Sequence, residues 1–153
     1  MSASEILSVP FRGFARAMNY LSPVFDLGIR LWIASIFFKA GLTKIQSWDS
    51  TLALFEYEYE VPILAPKIAA YLGTGAELLL PVFIALGLAG RLSAFTLSVF
   101  NVVAVISYSS FLFSDEGTVG LQQHIYWGVI LLVTVFHGPG KLSLDHLLAK
   151  RYS

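Results

Sequence analysis

Glu77 is the one charged residue in the stretch GTGAELLLPVFIALGL, residues 73–88. If that stretch crosses a bilayer, a charge near its middle costs about 2.5–3.5 kcal/mol. Glu77 must then be neutral, paired with a base or turned toward a cavity, and in each of these settings a carboxyl can take up and release a proton. Its surroundings favour a neighbour coming close. Ala70, Gly73 and Ala76 flank it, and small residues let a second helix approach. Pro81, four positions on, has no N–H to donate to the Glu77 carbonyl, which frees a backbone acceptor beside the carboxylate.

The candidate bases lie in RLWIASIFFKAGLTK, residues 30–44. Arg30 and Lys44 are fourteen positions apart and share a helical face, whereas Lys39, nine from Arg30, points nearly the opposite way at about 100° per residue. Arg30 and Lys44 sit near the two ends of the segment, where long cationic side chains snorkel. Lys39 lies deeper, about one helical turn from the midplane. Glu77 is expected to pair with Arg30 or Lys39, whichever faces the bundle interior, and these three are the candidate catalytic residues. Lys44, Asn101, Tyr108, His124 and Trp127 are the candidate ligand-binding residues. Asn101 and Tyr108 share a face two turns apart, Trp127 lies one turn from His124, and the group occupies one half of the membrane. Trp and Tyr are also ordinary residues of the membrane interface.

The elements that must position these residues follow from composition. The chain of 153 residues is 56 % hydrophobic and 13 % charged, against about a quarter charged in soluble domains. Mean hydropathy is +0.71. Apolar runs predict spans at about 24–45, interrupted by Arg30, Lys39 and Lys44, at 68–89, interrupted only by Glu77, and at 92–114 and 118–136. A bilayer core of about 30 Å takes about 20 helical residues, and runs that are continuous rather than alternating favour helices over barrel strands. The fold class expected is all-α, a four-transmembrane-helix bundle in a single domain.

Basic residues set the expected orientation. Arg12 and Arg16 precede span one, Arg91 lies between spans two and three, and Lys141, Lys150 and Arg151 follow span four. The positive-inside rule then places both termini in the cytoplasm, with Lys67 the lone dissenter. Residues 1–21 contain no continuous apolar region of signal-peptide length and read as an interfacial amphipathic helix. The long loop SWDSTLALFEYEYEVPILAPK, 47–67, carries a Leu52, Phe55, Tyr59 spacing that suits a short surface helix. It can cap an outer cavity as a lid or lie as an interfacial loop anchored by tyrosine. After span four, Gly138 can cap the helix, and Ser143 can open a short terminal helix. The third span, with Ser93, Ala94 and Ser98, offers a contact face for a second copy. The absence of cysteine excludes disulfides, thiolate metal sites and catalytic thiols, no metal site is expected, and the zero net charge argues against a nucleic-acid partner.

The combination of Arg30 and FFKAGLTK in span one, VP at Val61 and Pro62, GTGAELLLPVFIALGLAGR across span two and HGPGKLSLD after span four resembles the DoxX family over about residues 26–147. The resemblance implies a four-helix bundle of the bacterial inner membrane. The family pattern falls on Arg30, Gly41, Lys44 and Glu77. Some relatives are described as subunits of quinone-linked oxidoreductases, including thiosulfate:quinone oxidoreductase. The branch with FFKAGLTKIQSWD and HGPGKLSLDHLL is often encoded beside small metal-binding or peptide-maturation proteins. Two functions are therefore expected. One is a quinone-associated redox subunit, with Arg30 or Lys39 orienting or donating, Glu77 relaying protons, and His124 with Trp127 lining the head-group site. The other is a non-enzymatic scaffold, assembly factor or small transporter serving a metal- or peptide-handling partner.

Overall fold

The computed structural model describes the backbone of residues 3–152 and the side chains of residues 11–152. Every regular element among the described residues is helical: α1 (Ala3–Gln46), α2 (Trp48–Tyr57), α3 (Pro66–Leu86), α4 (Gly90–Ser107), α5 (Ser109–Leu112), α6 (Thr118–His137) and α7 (Leu144–Tyr152). Four are long and apolar enough to cross a membrane: the Phe11–Gln46 part of α1, and α3, α4 and α6. The 21 residues of α3 rise about 32 Å, and the 18 of α4 about 27 Å, which matches a bilayer core.

The boundaries differ from the hydropathy runs where backbone chemistry intervenes. α3 opens at Pro66, its first helical residue, where the missing N–H breaks no bond. It closes at Gly87, which takes a left-handed φ of 64°. α4 stops at Ser107, because Tyr108 leaves the helical region with φ −117° and ψ 29°. Tyr108 thus caps the helix end instead of lying within the span. The interfacial segment expected over 1–21 is not separate from the first span. Residues 3–46 form one helix with Pro23 carried inside it, 44 residues rising about 66 Å. Residues 1 and 2 of that segment, and the side chains of its first ten residues, lie outside the described residues.

α1 packs along α3 and α4 along α6, and α3 joins the two pairs through α4. One end of the bundle carries the α3–α4 turn and α7; the other carries α2, the 58–65 loop and α5. The central core is Ile33, Ala34, Phe37, Ile84, Leu97 and Leu131. A second cluster, Phe55, Ala69 and Ala70, seats α2 on α3. Lipid tails are as apolar as leucine, so burial alone does little to draw these helices together, and close packing of small residues does more. Ser93, Ala94 and Ser98 serve that purpose inside this chain. They are buried within the bundle, so they do not form the contact face for a second copy that their composition suggested.

Candidate functional site

A cavity of about 460 Å³ lies in the half of the bundle nearest α2. Most of its wall is apolar, built by Ile36, Phe37 and Ala40 of α1, Ala69, Gly73 and Ala76 of α3, and Phe100, Val103 and Ala104 of α4. The polar groups that reach it are Lys44, Glu77, Tyr59, Ser107, Tyr108 and His124.

Glu77 is buried at 7 % exposure. The Lys44 Nζ donates to both of its carboxylate oxygens, at 2.7 Å to Oε1 and 2.6 Å to Oε2. Two features of α1 produce this pairing. Gly41 lies against Glu77 and Leu78; a Cβ on Gly41 would stand 3.1 Å from the Glu77 Cβ and 2.9 Å from Leu78 Cδ2. Glycine therefore sets how closely α1 and α3 approach. Lys44 is one turn further along, and helical side chains lean back toward the N-terminus, so its ammonium returns to the level of Gly41 and Glu77. The Lys44 backbone carbonyl is held in turn by the Thr51 hydroxyl at 2.9 Å, which ties α2 to the same point. An ammonium has three N–H groups. Two are used by Glu77, and the third is left for a ligand.

His124 and Asn101 form the second polar group. Asn101 Nδ2 donates to the His124 backbone carbonyl at 3.0 Å, and Asn101 Oδ1 faces His124 Nδ1 at 2.8 Å. Because a carbonyl can only accept, Nδ2 must be the donor there. Oδ1 must then be the atom facing the ring, and His124 Nδ1 carries the proton. That leaves Nε2 of the neutral imidazole as an acceptor. The ring packs on Trp127 at 4.8 Å between centroids, and Trp127 packs on Phe37 at 5.6 Å. Asn101 does not line the cavity; it positions His124.

The loop after α2 closes the end of the cavity. The Glu60 N–H donates to the Ser107 carbonyl at 2.8 Å. Phe55, Tyr59, Tyr108 and Phe111 form a ladder of rings with successive centroids 4.9 Å apart. Burial first, then Tyr108 and the Glu77 and Glu58 carboxylates, push the Tyr59 phenol above its ordinary range. It stays a neutral donor.

The opposite end of the bundle holds Arg30, which is 2 % exposed. Its guanidinium donates to the carbonyls of Ile84 at 3.2 Å and Ala85 at 3.1 Å, and to that of Leu142. These carbonyls belong to the last turn of α3 and to the segment before α7. A helix C-terminus exposes such groups, and a cation satisfies them. Asp145 completes the clasp by accepting from the N–H of Ala89 at 2.8 Å and Gly90 at 2.7 Å, while its own N–H donates to Gly87 O at 3.0 Å. Ser143 Oγ accepts from the His146 N–H at 3.2 Å and opens α7. Gly87 is required here: its φ is left-handed, and a Cβ would overlap Ser143 and the Arg30 guanidinium.

Two expectations are corrected by this geometry. Arg30 does not meet Glu77, because it lies level with Ile84, two turns away along α3. Lys39 does not meet it either. It is exposed on the face of α1 turned from the core, as its nine-residue offset from Arg30 dictates. The partner is Lys44, which the sequence placed among the ligand-binding residues. Lys44, Glu77, Tyr108, His124 and Trp127 are brought together around one cavity; Arg30, Lys39 and Asn101, the last of these expected to bind the ligand, do not line it. Tyr59 and Phe55 were visible only as a helix-like spacing in a loop. Nothing in sequence marks Asp145 as the cap of a helix 55 residues earlier.

Four apolar helices around a buried acid–base pair define a multi-pass α-helical membrane protein. The DoxX family model matches residues 25–110, more than half of the chain, and the protein belongs to the DoxX family. The matched region holds Arg30, Lys44, Glu77, Asn101 and Tyr108, while His124 and Trp127 lie beyond it. The chain is also similar to an uncharacterized protein of Haemophilus influenzae, 29 % identical over 130 residues that cover 81 % of this chain and 83 % of that protein. No solved structure matches it.

Proposed function

We propose that the cavity binds a quinone and that the protein is the quinone-associated subunit of a membrane redox system in the bacterial inner membrane, with both termini in the cytoplasm. The observation that carries this reading is the Lys44–Glu77 pair on the wall of an otherwise apolar cavity. The pair is neutral as a unit, so it suits an uncharged ligand. Its unspent Lys44 N–H is a donor for a ligand carbonyl, and Tyr59 and Tyr108 add phenolic donors. Quinones present carbonyl acceptors on a flat apolar ring and take up protons with electrons. Glu77 and Lys44 hold and pass the proton; Phe37 and Trp127 supply aromatic surface; His124, set by Asn101, offers Nε2. The electrons come from a partner protein that carries a redox centre.

Protein purified in mild detergent and extracted with organic solvent should yield a quinone by mass spectrometry, and Glu77→Gln should lower its recovery at least tenfold. Recovery of no quinone from wild type, together with no binding of added quinone, would falsify the assignment. Alkaline phosphatase fused at either terminus should be inactive, and fused in the 58–65 loop, active.

A second reading, a membrane scaffold for a metal- or peptide-handling protein, is supported by the N-terminal half of α1, where Phe11, Phe14, Leu21, Val24 and Phe25 are all more than half exposed. Co-purification of a partner that is lost when Phe14 and Leu21 are changed to Ser supports it, and co-purification of none rejects it.

A further inference from the structure

The cavity has polar groups inside and hydrocarbon at its rim. Among its lining residues only Leu64 and Leu72 are exposed, at 40 % and 58 %. All six polar lining residues are buried or half-buried. The end facing away from the membrane is shut by the Glu60–Ser107 backbone bond and by the Tyr59–Tyr108 contact. What opens the wall is the α3 surface: Ala69, Gly73 and Ala76 recur at helical spacing along the cavity. A Cβ on Gly73 would reach 3.3 Å from Phe55 Cζ of α2 and 3.9 Å from Phe100 Cε2 of α4, so larger residues here would fill the cavity beside α3. Leu72 is the seventh residue of α3, about 9 Å inside the helix end, level with acyl chains.

We infer that the cavity loads sideways, from the bilayer, through a gap along α3 rimmed by Leu64 and Leu72. The ligand is therefore a membrane-dissolved amphiphile with a hydrocarbon tail. Its polar head lies against Lys44 and Glu77, and its tail passes Leu72 into the lipid. A volume of about 460 Å³ is at the scale of one drug-sized ligand. A long-tailed amphiphile cannot be enclosed in it, and an apolar rim costs nothing to a tail crossing it. A water-borne polar ligand would meet two leucines and no polar group on entry. The inference rests on the quinone reading for the identity of the head group.

The chain contains no cysteine, so Leu72→Cys creates a unique thiol that can be blocked after folding. In nanodiscs the probes are an isoprenoid-tailed benzoquinone and the same ring without the tail. Unmodified Leu72→Cys is the reference for its own alkylated form and should bind the tailed quinone at least tenfold more tightly than the tailless ring. Alkylation with a bulky apolar maleimide should weaken tailed binding at least tenfold, and should slow entry of the tailless ring while leaving its equilibrium affinity within twofold. Alkylated Val102→Cys, at an exposed α4 residue outside the cavity, should change neither. The lateral route is overturned if alkylation at position 72 leaves tailed binding intact, or if both ligands lose affinity equally. Wild type that binds neither quinone defeats the quinone reading itself.

Discussion

Arg30 and Lys44 sit on one face of one helix, fourteen residues apart, and the bundle uses them in opposite ways. Arg30 is closed off. Its terminal nitrogens donate to backbone carbonyls of two segments, and it does not line the cavity that holds Lys44 and Glu77. Lys44 is paired to a single carboxylate on a cavity wall, with a donor unspent. The difference lies in what each cation satisfies. Backbone carbonyls at a helix end do not change protonation, so Arg30 fastens. A carboxylate does change protonation, so Lys44 and Glu77 can respond to a ligand. Each cation also needs its own glycine, Gly87 beside Arg30 and Gly41 beside Lys44. A buried basic residue in a membrane helix is thus not in itself a sign of chemistry; the nature of its acceptor decides.

That contrast can be broken by substitution. The largest effect is expected at Arg30. Arg30→Gln strips a charged donor from three carbonyls, and at about 1.5–3 kcal/mol per charged hydrogen bond the loss should exceed about 3 kcal/mol. In detergent the melting temperature should fall by on the order of 10 °C, with the quinone affinity of the surviving folded protein within threefold of wild type. A melting temperature that barely moves would show that Arg30 does not fasten α7 to α3.

Next comes the pair itself. Glu77→Gln leaves Lys44 half-buried without its counter-ion and should cost about 1–2 kcal/mol, below the range for a fully buried broken pair because the Lys44 side chain keeps 17 % of its exposure. Replacing both, Lys44→Met with Glu77→Leu, should restore most of that stability while binding stays at least tenfold weakened. Recovery of binding along with stability would make the pair a fastener like Arg30 and erase the contrast.

The two glycines come third. Gly41→Ala forces Leu78 aside by a few tenths of an ångström and should cost about 1–3 kcal/mol by overpacking. It should also lengthen the Lys44–Glu77 contact, and hence weaken binding. Gly87→Ala meets left-handed strain as well as overlap and should destabilise without touching binding. Thermal unfolding followed beside quinone titration separates the two outcomes. The smallest effect is expected at Asn101. Asn101→Leu frees the His124 tautomer and should cost about 1 kcal/mol in stability, with binding reduced a few-fold and a binding pH profile that shifts because Nδ1 is no longer held protonated.

Much of the architecture is legible in the sequence. Spans two and four were visible as apolar runs, the first broken only by Glu77, and their helices begin and end within three residues of those runs. Span three ended early because Tyr108 breaks the helix where the 58–65 loop bonds to Ser107, a contact between residues 47 apart that periodicity does not register. The first helix ran further than expected, since no strong stop lies between Gly13 and Gly28 and Pro23 is accommodated.

The site divides in the same way. Sequence alone determined that Glu77 lies deep in a membrane helix, that it needs a cation or a cavity, that Arg30 and Lys44 share a face, and that Lys39 does not. Those conclusions depend on composition and on the angle per residue, which a helix carries wherever it sits. Which cation meets Glu77 depends on the axial register of α1 against α3. That register is set by Gly41 seating on Leu78 and by the loop that returns the chain, and only the tertiary structure contains it. The clasp of Asp145 on Ala89 and Gly90 was hidden for the same reason: hydrogen bonds across the bundle leave no periodic trace along the chain.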